Sequence, residues 1–389
     1  MGSKHWIKLA LLAPVLLAGC KGFWDTPPTS SGSGSTTSSS GNIYVLNVAT
    51  KQIAGLYVNA GTITALTGSP YTVPAAPLSM AIAPNGAFLY IGTATGVYVY
   101  TISSTGALAL GNSSGPITSD QAISMQVSPD NNWLIEIASG APYVYAVPIN
   151  SSNGTAASKA EQFAVLPATS VQQVVVSPDQ SYVFVAMGAG GTATVPFNGA
   201  NTNPFGAVGQ IGLVNAAGAA LSVAVDPLQS GQTAPRLFYI GETAATSGSN
   251  TGGLRVFTFS TLKELSGSPL TTNGLAPYSI LPISTGSYVY VVNRQVSGST
   301  TGLITGYAIS SINSTYAVQA LGTTFSVGTN PVALAEDSTG TFVFAVDFGG
   351  SPDLKGYTFD STNAGSLDGV VSGSTGTDPV QASAVVAMP

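Results

Sequence analysis

The sequence predicts an all-β chain folded as a seven-bladed β-propeller, its first blade closed by the C-terminal strand. Three observations carry this. A unit of strand, tight turn, strand, loop and strand recurs along the chain. Charged residues are only 7% of the 389, while glycine alone supplies 46; an average soluble domain has about 25% charge, and this mixture suits many short strands joined by turns. The repeat is also split between the two ends of the chain. The unit is plainest at residues 174–198. Val174, Val175 and Val176 form a β-branched run. Ser177-Pro178-Asp179 is turn chemistry, because proline pre-sets φ and aspartate hydrogen-bonds its own backbone. Tyr182 to Ala186 resumes the run, Gly188 to Gly191 breaks it, and Thr192 to Phe197 makes a third strand.

At the N-terminus, Lys4 and Lys8 accompany an apolar stretch from Ile7 to Leu17, and Leu17-Ala18-Gly19-Cys20 follows. This is the three-part form of a secretory signal over residues 1–19, with an apolar run short for a bilayer span. Small residues directly before the chain's only cysteine resemble the lipobox of bacterial lipoproteins. The resemblance implies cleavage before Cys20 and lipidation of its thiol and new amino group; the plainer reading is an ordinary signal peptide with an incidental cysteine. Each buried lipid CH₂ contributes about 0.8 kcal/mol, so several acyl chains anchor firmly. Lys21, where lipoprotein sorting uses aspartate for inner-membrane retention, leans towards the outer membrane in a cell that has one. Residues 20–40 continue as a Ser/Thr/Gly tether with little to bury. Phe23 and Trp24 read equally as an interfacial pair or as incidental.

From residue 41 to 389 the repeats follow as one domain. Turn markers fall at Pro84-Asn85-Gly86, Ser128-Pro129-Asp130, Ser177-Pro178-Asp179, Asp226-Pro227, Ser284-Thr285-Gly286 and Asp337-Ser338-Thr339-Gly340, about 45 to 57 residues apart. A period of that size with four strand-like runs points to propeller blades. An apolar second strand follows each marker: FLYIG, WLIEIA, YVFVAM, LFYIGE, YVYVVN and FVFAVD. The seventh unit, residues 42–74, lacks a leading strand, and residues 380–389 supply one. Closing the ring removes exposed edges. Almost no helix is expected beyond the leader.

LTGSPYTV (66–73) and LSGSPLTTNGLAP (265–277), the SPD turns before WLIEI and YVFVA, and YVYVVNRQ (288–295) resemble the seven-bladed propellers of the lactonase family, which includes 6-phosphogluconolactonase-like proteins and surface proteins with YVTN repeats. The resemblance covers residues 41–389 and implies a channel-mouth site. Family enzymes commonly carry Pro-His where each blade enters the mouth. Here the matching pairs are Pro77-Leu78, Pro277-Tyr278, Pro331-Val332 and Pro379-Val380, and the one histidine is His5. Only Glu, Asp or Tyr remain to serve as the general base of ester hydrolysis.

Aligning the repeats puts Asn47, Thr93, Ala138, Met187, Glu242, Asn293 and Asp347 at equivalent strand ends. Glu242, Asn293, Arg294 and Asp347 fall in consecutive blades. One reading is a polar ligand pocket: Arg294 holds an anionic or carbonyl oxygen while Glu242 or Asp347 takes a proton. The other is ion pairs or hydrogen bonds that anchor loops. Glu136 interrupts an apolar strand and reads as a paired buried carboxylate; Asp226 and Asp337 read as turn formers. No GxSxG elbow, phosphate loop, DxDxDG run or zinc spacing occurs, so no cofactor or metal is expected. The net charge of −6, lowered further by loss of Lys4 and Lys8, argues against nucleic acid. The expected function is a monomeric, lipid-anchored envelope module that binds a protein, peptide or glycan without catalysis. The alternative is a lactonase-like hydrolase or isomerase acting on a sugar lactone.

Overall fold

The computed structural model describes residues 40–59, 61–246, 251–296, 299–312, 315–350, 352–370, 372–373 and 379–389. The leader, Cys20, and the tether up to residue 39 lie outside them. From the innermost strand outward, blade 1 is Ala382–Ala387, Ser40–Asn47, Gln52–Asn59 and Thr62–Ala65. Blade 2 is Pro77–Ile82, Phe88–Thr93, Gly96–Ile102 and Leu108–Leu110. Blade 3 is Ala122–Val127, Trp133–Ala138, Tyr143–Pro148 and Gln162–Val165. Blade 4 is Gln173–Val176, Tyr182–Ala186, Thr192–Pro196 and Gly209–Ile211. Blade 5 is Ala220–Val225, Leu237–Glu242, Gly253–Thr258 and Lys263–Glu264.

Blades 6 and 7 share one long strand, Thr315–Glu336. Its first part pairs with Thr301–Ile312, the third strand of blade 6, whose inner strands are Pro277–Pro282 and Tyr288–Asn293. Its last part pairs with Phe342–Gly349 and is the innermost strand of blade 7, which Leu354–Phe359 and Leu367–Val370 complete. The hydrogen bonding therefore runs as six sheets, one of them seven-stranded, although the strands form seven blades. Among the described residues the innermost strands neighbour one another in order, and that of blade 1 lies between those of blades 7 and 2.

Second strands are flanked by other blades on both faces, and this is why they are unbroken apolar runs instead of alternating ones. Every residue of Phe88–Thr93, Leu237–Glu242 and Tyr288–Asn293 is buried. The core is correspondingly divided into clusters, one at each of the seven junctions. Blades 4 and 5, for example, meet through Phe184, Phe238 and Phe257, stacked with centroids 4.6 and 4.7 Å apart. Blades 7 and 1 meet through Phe342, Phe344 and Val346 against Ile43, Val45, Leu56 and Val58. Inner strands are also tied blade to blade by hydrogen bonds. Ser79 Oγ donates to Ala122 O (2.6 Å), Val176 N to Gln126 Oε1 (2.9 Å), Val223 N to Gln173 Oε1 (2.9 Å), and Ser222 Oγ to Pro277 O (2.8 Å).

The turn chemistry is built as the sequence implies. Ser177 Oγ donates to Asp179 Oδ1 (2.6 Å) and accepts from Tyr182 N (3.0 Å). Each such turn places one residue in the left-handed region: Gly86, Gly286 and Gly340 in three blades, Asn131 and Gln180 in two others. Asp226 departs from the expected simple turn former. It is fully buried, accepts from Tyr239 Oη (2.6 Å), and pairs with Arg236 across a longer loop (3.0 Å).

Closure of the first blade is explicit: Ala382–Ala387 runs antiparallel to Ser40–Asn47, pairing Ile43 with Ala387 and Asn47 with Ala382. The helix content is one 3₁₀ turn, Asn112–Ser114, among the described residues. None of them forms a helix long and apolar enough to cross a membrane.

Candidate functional site at the channel mouth

The seven strand-end positions stand at one mouth of the channel. In blades 2, 3, 5, 6 and 1 the last residue of the second strand lies opposite the first residue of the innermost strand: Thr93 by Pro77, Ala138 by Ala122, Glu242 by Ala220, Asn293 by Pro277 and Asn47 by Ala382; in blade 7 Asp347, just before the strand ends at Gly349, lies opposite Pro331 within the long shared strand. The register slips there by one residue each time. Leu78, Ile123, Leu221, Tyr278, Val332 and Ser383 are the extra residues. A bulge re-aims the side chain it inserts, so a single device repeats at the entrance of six blades. The register also corrects one pairing. Pro77-Leu78, Pro277-Tyr278 and Pro331-Val332 are equivalent, but the match in blade 1 is Ala382-Ser383, because Ala382 faces Asn47 and Pro379-Val380 lies three residues upstream.

The polar strand-end groups of blades 5, 6 and 7 are buried and turned onto the segments that cross from the preceding blade. Glu242, 1% exposed, accepts from Val214 N through Oε2 (3.1 Å), and its Oε1 pairs with Arg255 Nη1 (2.7 Å). Arg255 also pairs with Glu264 (2.6 Å) and donates to Gly212 O (2.7 Å). Asn293 Nδ2 donates to Thr272 O (2.9 Å). Asp347 Oδ2 accepts from Gly328 N (2.9 Å). The backbone approaches closely because glycine allows it: a Cβ on Gly328 would lie 2.4 Å from Asp347 Oδ2, and one on Gly274 2.4 Å from Asn293 Cβ. The arrangement is chemically a set of clasps that pin successive crossovers in blades 5, 6 and 7.

Arg294 stands apart. It is half-buried, and its guanidinium lies over the Tyr278 ring, 5.1 Å from the centroid. The ion pairs among the described residues join Arg236 to Asp226 and Arg255 to Glu242 and Glu264. Glu242 is thus held by Arg255, and Arg294 is not salt-bridged to either Glu242 or Asp347. Asp347 keeps one feature of a working carboxylate. Its Oδ1 is buried without a hydrogen-bond partner, and burial pushes its pKa up to about 6, with nearby Lys355 opposing the rise.

A second polar cluster lies between blades 2 and 3. Glu136 is fully buried and faces blade 2, with the Asp120 carboxyl within hydrogen-bonding reach. Burial, then Asp120 and Glu161, hold its pKa well above the usual carboxylate range. Glu136 is thus a buried carboxyl beside other carboxylates, with no cation paired to it among the described residues. Its position inside WLIEIA signals something unusual; nothing in the spacing of Asp120 or Glu161 signals that they join it.

No protein-family model and no curated protein sequence matches the chain. Solved structures do. A protein assigned as a 6-phosphogluconolactonase from Bacteroides uniformis aligns over 90% of this chain and 99% of its own, with a TM-score of 0.69 at 16% identity. The periplasmic gluconolactonase of Pseudomonas aeruginosa aligns over 90% and 99%, with a TM-score of 0.67 at 16% identity. A protein of unknown function from Desulfotomaculum acetoxidans aligns over 88% and 98%, with a TM-score of 0.62 at 14% identity. The likeness establishes the fold, a β-propeller, and a fold of this kind hosts many functions.

Proposed function

We propose that this lactonase-like propeller is a binding and scaffolding module of the cell envelope, anchored through Cys20, that engages a protein, peptide or glycan at the channel mouth. One observation carries the reading. The buried polar groups of blades 5 to 7 hold backbone crossovers, while the bulged positions present Leu78, Ile123, Leu221, Tyr278 and Val332 with Arg294 over Tyr278. Apolar and aromatic side chains beside an arginine are the composition of an interaction surface more than of an ester-hydrolysing centre.

A photo-crosslinking residue at Tyr278 tests this, with one at Ile312, 66% exposed on a different part of blade 6, as control. The expected result is a discrete envelope adduct from Tyr278 and none from Ile312, weakened by Arg294→Ala. Equal labelling from both positions would remove the mouth as the binding surface. The anchor has its own test. Cys20→Ala should abolish lipid labelling and move the protein from the membrane to the soluble fraction; an unchanged distribution would count against lipidation. Lys21 supports the outer membrane as destination.

A lactonase-like hydrolase is the second reading, favoured by Asp347. A carboxylate with pKa about 6 and an unpartnered oxygen has the proton affinity of a general base near neutral pH. In that reading Asp347 takes a proton from water attacking a sugar-lactone carbonyl, and Arg294 holds the oxyanion. Complete burial of Asp347 weighs against it.

A further inference from the structure

The outermost strand of a blade is a sheet edge on the rim of the disc, and such edges invite pairing unless they are short, charged or covered. Thr62–Ala65 of blade 1 is flanked by Ser372–Gly373. Leu108–Leu110 and Gly209–Ile211 are three residues long, and Lys263–Glu264 is two and charged. Blade 6 runs on into blade 7, whose last strand, Leu367–Val370, carries Asp368. Gln162–Val165 of blade 3 differs from all of these. It has four residues and no charge, and Phe163 and Val165 are 56% and 60% exposed.

The direction of its backbone groups follows from the register. The Leu166 N–H donates inward to Pro142 O (2.8 Å). Inward and outward groups alternate along an antiparallel strand, so Ala164 bonds inward with Leu166, while Phe163 and Val165 turn N–H and C=O away from the blade. Among the described residues no strand pairs with that side. Side chains directly opposite one another share a face, which sets Val165 beside Tyr143 and Phe163 beside Tyr145. Phe163 also packs edge-on against Tyr143, with centroids 5.3 Å apart.

A second copy of the same edge fits these features together. When two edges run antiparallel about a twofold axis at Ala164, each Phe163 lies opposite Val165 of the second copy. Every outward N–H and C=O of Phe163 and Val165 then meets a partner. The apolar rows continue across the axis, Tyr143 and Val165 of one copy meeting Phe163 and Tyr145 of the other; aromatic and β-branched residues are favourable cross-strand neighbours. Charge selects the same arrangement. Glu161, just before the strand, comes to lie opposite the neutral Pro167, whereas parallel pairing in register would set Glu161 beside Glu161 and Lys159 beside Lys159.

We propose that the chain forms a twofold, antiparallel homodimer through Gln162–Val165, in place of the monomer expected from the sequence. The paired edge is small against the roughly 1,200–2,000 Å² of stable interfaces, so the chain is a monomer when dilute and a dimer when concentrated.

Sedimentation velocity of the purified full chain over a wide concentration range tests this. A shift from monomer to dimer is expected, with a dissociation constant about tenfold or more higher in Phe163→Lys and Val165→Pro. Neither variant removes an inward hydrogen bond of the blade, so both should fold, which urea unfolding checks. Ala109→Lys, on the exposed outer strand of blade 2, should dimerise as the parent does. The register has its own readout. Residues facing each other without mutual hydrogen bonds lie about 4.5 Å apart at Cα, within disulfide reach. With Cys20→Ala removing the native thiol, Ala164→Cys should therefore form a disulfide-linked dimer under mild oxidation, and Ala109→Cys should not. A monomer at every concentration would overturn the proposal and leave the edge to an unrelated strand-forming peptide. Dimerisation unchanged in both Phe163→Lys and Val165→Pro would overturn it as well.

Discussion

At Asp347 one carboxylate oxygen is held by the Gly328 amide while the other is buried without a partner. Its raised pKa, about 6 against an ordinary 3.8, is chiefly a burial effect. The folded state therefore binds a proton more tightly than the unfolded chain. Stability from this group is full below about pH 4 and declines as pH rises towards 6 and beyond. Asp347→Asn should flatten that decline and be more stable than the parent at pH 7 by about 1–2 kcal/mol. Urea unfolding of both chains at pH 4.5 and pH 7.5 reads the difference; equal pH slopes would contradict the assignment. Glu242 differs in having a buried cationic partner, Arg255. Glu242→Gln leaves Arg255 with Glu264 alone and should cost about 2–3 kcal/mol, checked by the same unfolding.

At the scale of the element, the clasp is a strand-end side chain, a crossover and a glycine fitted together. Gly328→Ala pushes a methyl group to 2.4 Å from Asp347 Oδ2 and should destabilise by about 2 kcal/mol. Combined with Asp347→Ala the loss should be less than additive, because the second change removes the clash; a double-mutant cycle measures it. The same scale shows what the sequence makes legible. Strands such as FLYIG and YVYVVN were readable because enclosure between blades demands unbroken apolar runs. The strand-end alignment from Asn47 to Asp347 was readable because each blade repeats the same register. The bulges were not: one extra residue leaves no mark in composition, so Pro379-Val380 matched as a dipeptide while Ala382-Ser383 is the pair in register. The partner of Glu242 was equally hidden. Arg294 is a neighbour in the pattern, but Arg255, across the sheet in the third strand of the same blade, is the neighbour in space.

For the whole molecule, the ring is held by junction clusters and by one closing strand. Residues 380–389 complete blade 1 against Ser40–Asn47. Their removal exposes a strand edge and the apolar faces of Ile43, Val45 and Leu46. The truncated chain should unfold at lower urea and self-associate, which light scattering detects. A monomer of unchanged stability would mean that the ring does not depend on closure.

In the proposed function, the polar groups at the channel mouth hold the blades together and leave a binding surface without turnover. Proton release from D-glucono-1,5-lactone in the presence of the purified full chain, with Asp347→Asn and Arg294→Ala beside it, decides whether the mouth turns substrate over. The expected result is the spontaneous hydrolysis rate in all three. Saturable turnover by the parent chain, lost in Asp347→Asn, would contradict it and establish the mouth as an active site.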